Sequence, residues 1–172
     1  MYLFNSSIIK KFLQLALRTD ELEPIEIISN ISPILEEMFL FRAANHALGY
    51  GMEWLLASAI KRCVKRKGNR IELNANDFIE KYLNKNSRIT DKSNFLAKVQ
   101  ELRTKNIEEI KNKIRGHDFI QVLCWYIEPH LASSRKGFTD PDVVIGTLLC
   151  CLDIESLMQE RLFQEISKRL GG

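Results

Sequence analysis

Apolar residues recur at intervals of three and four along nearly the whole chain, the spacing of one face of an α-helix. Ile8, Ile9, Phe12, Leu13 and Leu17 form a first stripe, with Leu15 and Ala16 at its edge. The pattern predicts a helix from Ser6 or Ser7, either of which can cap it, broken by Thr19-Asp20-Glu21. Pro24 opens a short second helix through Ile25, Ile27 and Ile28. Ser32-Pro33 reads as a restart, a cap followed by a proline suited to the first helical position. From there a helical pattern runs from Ile34 to Lys67, with Lys65-Arg66-Lys67 in its last turn and Gly68 as its C-cap. Gly49-Tyr50-Gly51 interrupts it, and two readings stand: a break, or a place where another backbone packs closely.

Beyond Gly68, Arg70–Leu73 is briefly extended. Asn74 or Asn76 caps a helix through Phe78, Ile79, Tyr82 and Leu83, and a polar connector follows to Ser93. An amphipathic helix is expected over 94–115, ended or kinked by Gly116. The segment His117–Ala132 is so apolar that it must be buried, with Phe119, Val122, Leu123 and Trp125 in the core beside a helix over 143–152. Ser133–Phe138 is a loop, Thr139-Asp140-Pro141-Asp142 a helix start, and 143–170 a last helix or helix pair. The sum is an all-α protein: a single domain over 1–172, six or seven helices in one compact bundle, with one long central helix.

Composition agrees. The 172 residues are 45% hydrophobic and 27% charged, with only 8 glycines and 4 prolines, too few for a many-turned β protein. The longest apolar run, Val143–Leu152, is broken by Gly146 and Thr147 and falls short of the roughly 20 residues that span a bilayer. The first residues lack a secretory signal pattern, and Cys63, Cys124, Cys150 and Cys151 form no disulfide framework, so a reducing cytoplasm is expected.

Charge is distributed unevenly. Residues 1–60 and 116–172 each carry a net −3, whereas 61–115 carry 16 basic and 7 acidic side chains, a net +9. Only this middle third can attract a polyanion by charge. Its densest part is Lys61, Arg62, Lys65, Arg66, Lys67 and Arg70, extended by Lys81, Lys85, Arg88, Lys92, Lys98, Arg103, Lys105, Lys111 and Lys113. On a helix, Arg62, Lys65 and Arg66 would share one face, with Lys61 to the side. Such density suits a phosphate backbone. Phe78, Tyr82 and Phe95 all fit core positions, so base stacking is not indicated. This corner, a helix with a basic end, a short extended piece and an asparagine-capped helix, resembles the second loop of histone folds and of AAA+ lid domains over about 40 residues.

Catalytic chemistry is thinly represented. No glycine-rich phosphate loop is present; Gly49-Tyr50-Gly51 lacks a third glycine. There is no Cys-x-x-Cys or His-x-x-x-His pair, and His117 with Cys124 makes only two ligands, so neither metal nor cofactor is expected. His46, His117 and His130 each have carboxylates nearby, such as Asp118 and Glu128, as a chain with 22 acids provides by chance; His46 reads as a core histidine. Arg42 and His46 lie one helical turn apart. Phe41–Leu56 resembles the arginine-bearing helix of some HEPN-class proteins, small helical ribonucleases that use an arginine and a histidine. Their spacing is longer than the three residues between Arg42 and His46, and Arg115-Gly116-His117 has only one. The resemblance implies Arg42 and His46 as an alternative catalytic pair.

The leading expectation is a non-enzymatic helical interaction module that meets RNA or DNA, or an acidic protein, through its basic middle. The alternatives are a HEPN-like RNA-directed protein with a divergent motif, and a protein-binding adaptor or inhibitor subunit.

Overall fold

The computed structural model describes residues 3–19, 22–68, 70–86, 91–105, 114–153, 158 and 161–170. Arg88, Lys111 and Lys113, and the middle of the helix expected over 94–115, lie outside the described residues. The chain is mostly helical, with one small two-stranded sheet.

The first helix, α1 (Ser6–Phe12), is capped not by a serine but by Asn5, whose side chain accepts from Ser7 N at 2.8 Å. It widens into a π-helical stretch over Leu13–Leu17 and stops where Arg18 turns left-handed, at φ 48°. The next helix, α2 (Pro24–Ala47), corrects the expected restart at Ser32-Pro33: it runs 24 residues without interruption. An interior proline costs roughly 3 kcal/mol. In the turns before it Ser32 Oγ donates back to Ile28 O at 2.6 Å, and Ser29 Oγ and Asn30 Nδ2 donate to Glu26 O. Ile27, Ile31, Ile34, Met38 and Phe41 keep one buried stripe in phase across Pro33, and their burial at about 1.5–3 kcal/mol each outweighs the proline.

The open question at Gly49-Tyr50-Gly51 resolves as a break. Gly49 and Gly51 hold φ +63° and +57°, and a Cβ at either would meet nothing within 4 Å. They serve chain reversal rather than close packing. Asn45 fastens the reversal, bonding both N and O of Met52.

The long helix expected to reach Lys67 is therefore absent. In its place come a one-turn helix, α3 (Ala57–Lys61), and an antiparallel hairpin of β1 (Val64–Lys67) and β2 (Arg70–Leu73). Gly68, at φ +59°, belongs to the hairpin turn and is not a helix cap. Asn74 caps α4 (Ala75–Lys85), Asp91 caps α5 (Lys92–Thr104), and Asp140 caps α7 (Pro141–Cys150). Between them α6 (Gly116–Ile127) begins at Gly116, which opens a helix where an end or kink was expected. Two 3-10 turns, Glu128–His130 and Ser133–Thr139, lead to α7; α8 (Arg161–Leu170) follows.

Helix α2 packs against α1, α5, α6 and β2, and α6 against α7. From Asp118 to Ile127 every residue of α6 except Gln121 is buried, including Phe119, Val122, Leu123 and Trp125. Phe41 is the hub of an aromatic cluster with Phe78, Tyr82 and Phe95, and Trp54 packs on Phe78 and Tyr82. No helix among the described residues is long and apolar enough to cross a membrane.

Candidate nucleic-acid interface

A strand alternates its side chains, so the six cations of the basic corner separate instead of sharing a helix face. Val64 pairs with Leu73 and Arg66 with Ile71 on the inward face; Lys65 pairs with Glu72 and Lys67 with Arg70 on the outward face. The expected trio of Arg62, Lys65 and Arg66 is thereby corrected. Arg66 Nη2 donates to the carbonyls of Trp125 (2.7 Å) and Tyr126 (3.0 Å), in the last turn of α6. That end of the helix is the negative end of its dipole, with carbonyls lacking intrahelical partners, so a guanidinium is held there by both charge and hydrogen bonding. Lys61 pairs with Glu128 at 2.6 Å, just beyond the same helix end. These contacts fix the hairpin to α6, and Asn74 N closes its base on Cys63 O at 2.6 Å.

The remaining cations of the middle third are mostly engaged. Lys67 pairs with Glu72, Lys85 with Glu53, Arg103 with Glu37. Lys105 and Lys98 both bond Glu101 and hold its carboxyl down to about 2. Lys81 Nζ lies 3.7 Å from Cys63 Sγ; burial pushes that thiol up. Among the described residues of 61–115, Arg62, Lys65, Arg70 and Arg115 are exposed with neither an ion pair nor a side-chain hydrogen bond, and Lys92 meets only Asn84 Oδ1 at 3.5 Å. The first three belong to the hairpin or its entry. Lys65, Arg66, Lys67 and Gly68 are all exposed, so the ribbon stands out from the surface.

The flank of the hairpin is different in sign. A groove of about 680 Å³ between α2 and β2 is lined by Glu26, Glu36, Glu37 and Glu72 as well as Arg70 and Arg103. The cationic surface is thus the outward face and the β1 edge. On that edge lysines also have a purely structural use, since charge on an unpaired strand discourages pairing with another chain.

The Arg42 and His46 pair is placed differently from a catalytic dyad. Arg42 forms a two-bond ion pair with Asp118, Nη2 to Oδ1 at 2.8 Å, and its guanidinium lies 4.1 Å from the Trp54 ring centroid. Burial, and then the nearby Arg115, lower its pKa to about 10, so it stays charged at neutral pH. Asp118 is the one buried charged residue among those described. His46, expected in the core, is exposed at the end of α2, where the helix has already left the interior. His117 is exposed and Cys124 buried, with its thiol pushed up to about 12. Cys150 is exposed, unlike its neighbour Cys151. Among the described residues no three His, Cys, Asp or Glu side chains converge as a metal site.

Sequence reasoning missed the Arg42–Asp118 pair and the capping role of Arg66. Asp118 gave a signal: a lone acid in a run otherwise buried needs a cationic partner. Arg66 gave none, because its partners are backbone atoms 59 and 60 residues away.

No protein-family model, curated protein or solved structure matches the chain.

Proposed function

We propose that the chain is a non-enzymatic helical interaction module that binds the phosphate backbone of RNA or DNA through its basic hairpin. The observation that carries this reading is the clustering of unpaired cations at the hairpin. Of the described, exposed cations of 61–115 without an ion pair, Lys65 and Arg70 lie on the ribbon and Arg62 at its entry, whereas Arg115 lies at the opposite end of α6 from the hairpin. Lys67 joins them once an incoming phosphate competes with Glu72, because an exposed ion pair is worth only about 0–1 kcal/mol. Contacts of this kind position a backbone and read no sequence. In this reading residues 1–172 form a single bundle about α2 as its central helix. The unpaired Cys63, Cys124, Cys150 and Cys151 suit a reducing cytoplasmic setting.

The test is Arg62→Glu/Lys65→Glu/Arg70→Glu against wild type, titrated with mixed-sequence nucleic acid at several salt concentrations. Wild type should bind with a steep salt dependence that the triple variant loses, each lost phosphate contact lowering the slope by about 1. Circular dichroism should show both folded alike. No binding at low salt, or undiminished binding by the folded variant, overturns the reading.

A second reading, a protein-binding adaptor or inhibitor subunit, draws on α7. Ile145 and Leu149, one turn apart on that helix, are 38% and 51% exposed and form a small apolar patch. The HEPN-like alternative draws less from the geometry, since Arg42 is committed to Asp118 and Trp54.

A further inference from the structure

We infer that the hairpin's ligand is the outside of a double helix rather than a single strand. This rests on the nucleic-acid reading above and deepens it.

Single-stranded nucleic acid is held by a basic groove that tracks the backbone together with aromatic side chains on which bases stack. Among the described residues neither is built around Lys65, Lys67 and Arg70. Among the described residues no Phe, Tyr or Trp is exposed, and none lies in the hairpin. Phe78, Tyr82, Phe95, Trp125 and Tyr126 are all buried, so recruiting a ring would mean opening the core. Two grooves adjoin the hairpin. One sets Glu26, Glu36, Glu37 and Glu72 against Arg70 and Arg103, an excess of acid that disfavours a strand laid into it. The other, of about 350 Å³, is lined by Lys61, Arg66 and Trp125, but both cations are committed to Glu128 and the carbonyls at the end of α6, and the ring is 8% exposed. What remains is a projecting ribbon. Lys65 and Lys67, two residues apart on one strand, stand about 6.6 Å apart on the same face. Arg70 is opposite Lys67 across the ribbon. Two cations in file and one beside them can touch phosphates presented on the convex surface of a duplex without any base leaving its stack. Arg66, held to the carbonyls of Trp125 and Tyr126, and the Lys61–Glu128 pair keep this ribbon from folding around a flexible strand.

The experiment is fluorescence anisotropy of the full chain at low salt with a mixed-sequence duplex and with oligothymidylate of equal length. Wild type should prefer the duplex several-fold, because a duplex presents about one charge per 1.7 Å of axis against about one per 3.4 Å for a single strand, and no stacking offsets this. Its slope of log affinity against log salt on B-form DNA should be about −2.7, for three phosphates. Lys65→Gln/Lys67→Gln/Arg70→Gln, which removes charge without reversing it, should abolish that preference while circular dichroism stays unchanged. Equal or tighter binding to oligothymidylate overturns the duplex inference and leaves the nucleic-acid reading standing. Binding to neither probe overturns both. A duplex preference that survives in the folded glutamine variant also overturns the inference, because it would place the contact elsewhere.

Discussion

Arg42 and Asp118 join the C-terminal part of α2 to the first turn of α6 through two hydrogen bonds, with the guanidinium over the Trp54 ring. Their side chains are 15% and 7% exposed. A buried ion pair contributes little net stability, because desolvation offsets the attraction, but half of one is costly. Asp118→Ala and Arg42→Ala should each lose about 3–5 kcal/mol, while Arg42→Met/Asp118→Leu should recover most of that loss. Urea denaturation of the four proteins measures this. Equal losses in the single and double variants would show that the pair does more than neutralise itself.

The capping contact of Arg66 separates structure from binding within one strand. Arg66→Ala should cost about 1.5–3 kcal/mol, since a charged donor to two helix-end carbonyls is lost. Lys65→Ala, its exposed neighbour, should change stability by less than about 0.5 kcal/mol. Thermal melts distinguish them. Similar destabilisation by both would contradict the alternation of the hairpin.

At Gly49 the left-handed backbone, not space, limits substitution. Gly49→Ala should cost about 1–2 kcal/mol although the added methyl meets nothing. Gly146→Ala, on a helix with equally open surroundings, should instead stabilise by up to about 1 kcal/mol. Chemical denaturation of the two variants gives the comparison, and a neutral Gly49→Ala would refute the strain argument.

Alkaline pH should unfold the protein. Burial raises the Cys124 thiol from 9.0 to about 12 and the Tyr82 phenol from 10.0 to about 12. Both groups hold their protons more tightly folded than unfolded. Stability is therefore full below about pH 9 and falls as pH rises toward about 12, where the unfolded chain ionises first. Tyr82→Phe should flatten the upper part of that decline. It should cost little at pH 7, because the Tyr82 hydroxyl is buried without a hydrogen-bond partner. A pH series of urea midpoints tests both statements.

Much of the helical layout was legible in apolar spacing. The buried stripe of α2 reads directly from Ile27, Ile31, Ile34, Met38 and Phe41, and α6 from its nearly unbroken apolarity. The proline rule misplaced a boundary at Pro33 because tertiary burial outweighed a local penalty. Val64-Lys65-Arg66-Lys67 was misread for a related reason. Three cations in four residues suit a helix end, and only the pairing with Arg70–Leu73 across Gly68 reveals a strand. The candidate interface was legible as composition, not as geometry. Spacing identified where the charge is, but the division into engaged and free cations depends on distant partners such as Glu128, Glu37 and the carbonyls of Trp125 and Tyr126.

Cys150 and Cys151 are neighbours in sequence with opposite surroundings, one exposed at the end of α7 and one turned into the core. With Cys63 and Cys124 also buried, the folded chain offers a single addressable thiol. A maleimide dye or a surface tether should therefore attach at one point, on a helix that carries none of the hairpin's cations, without any engineered substitution. The protein arrives ready for single-site immobilisation, its basic ribbon left unmodified.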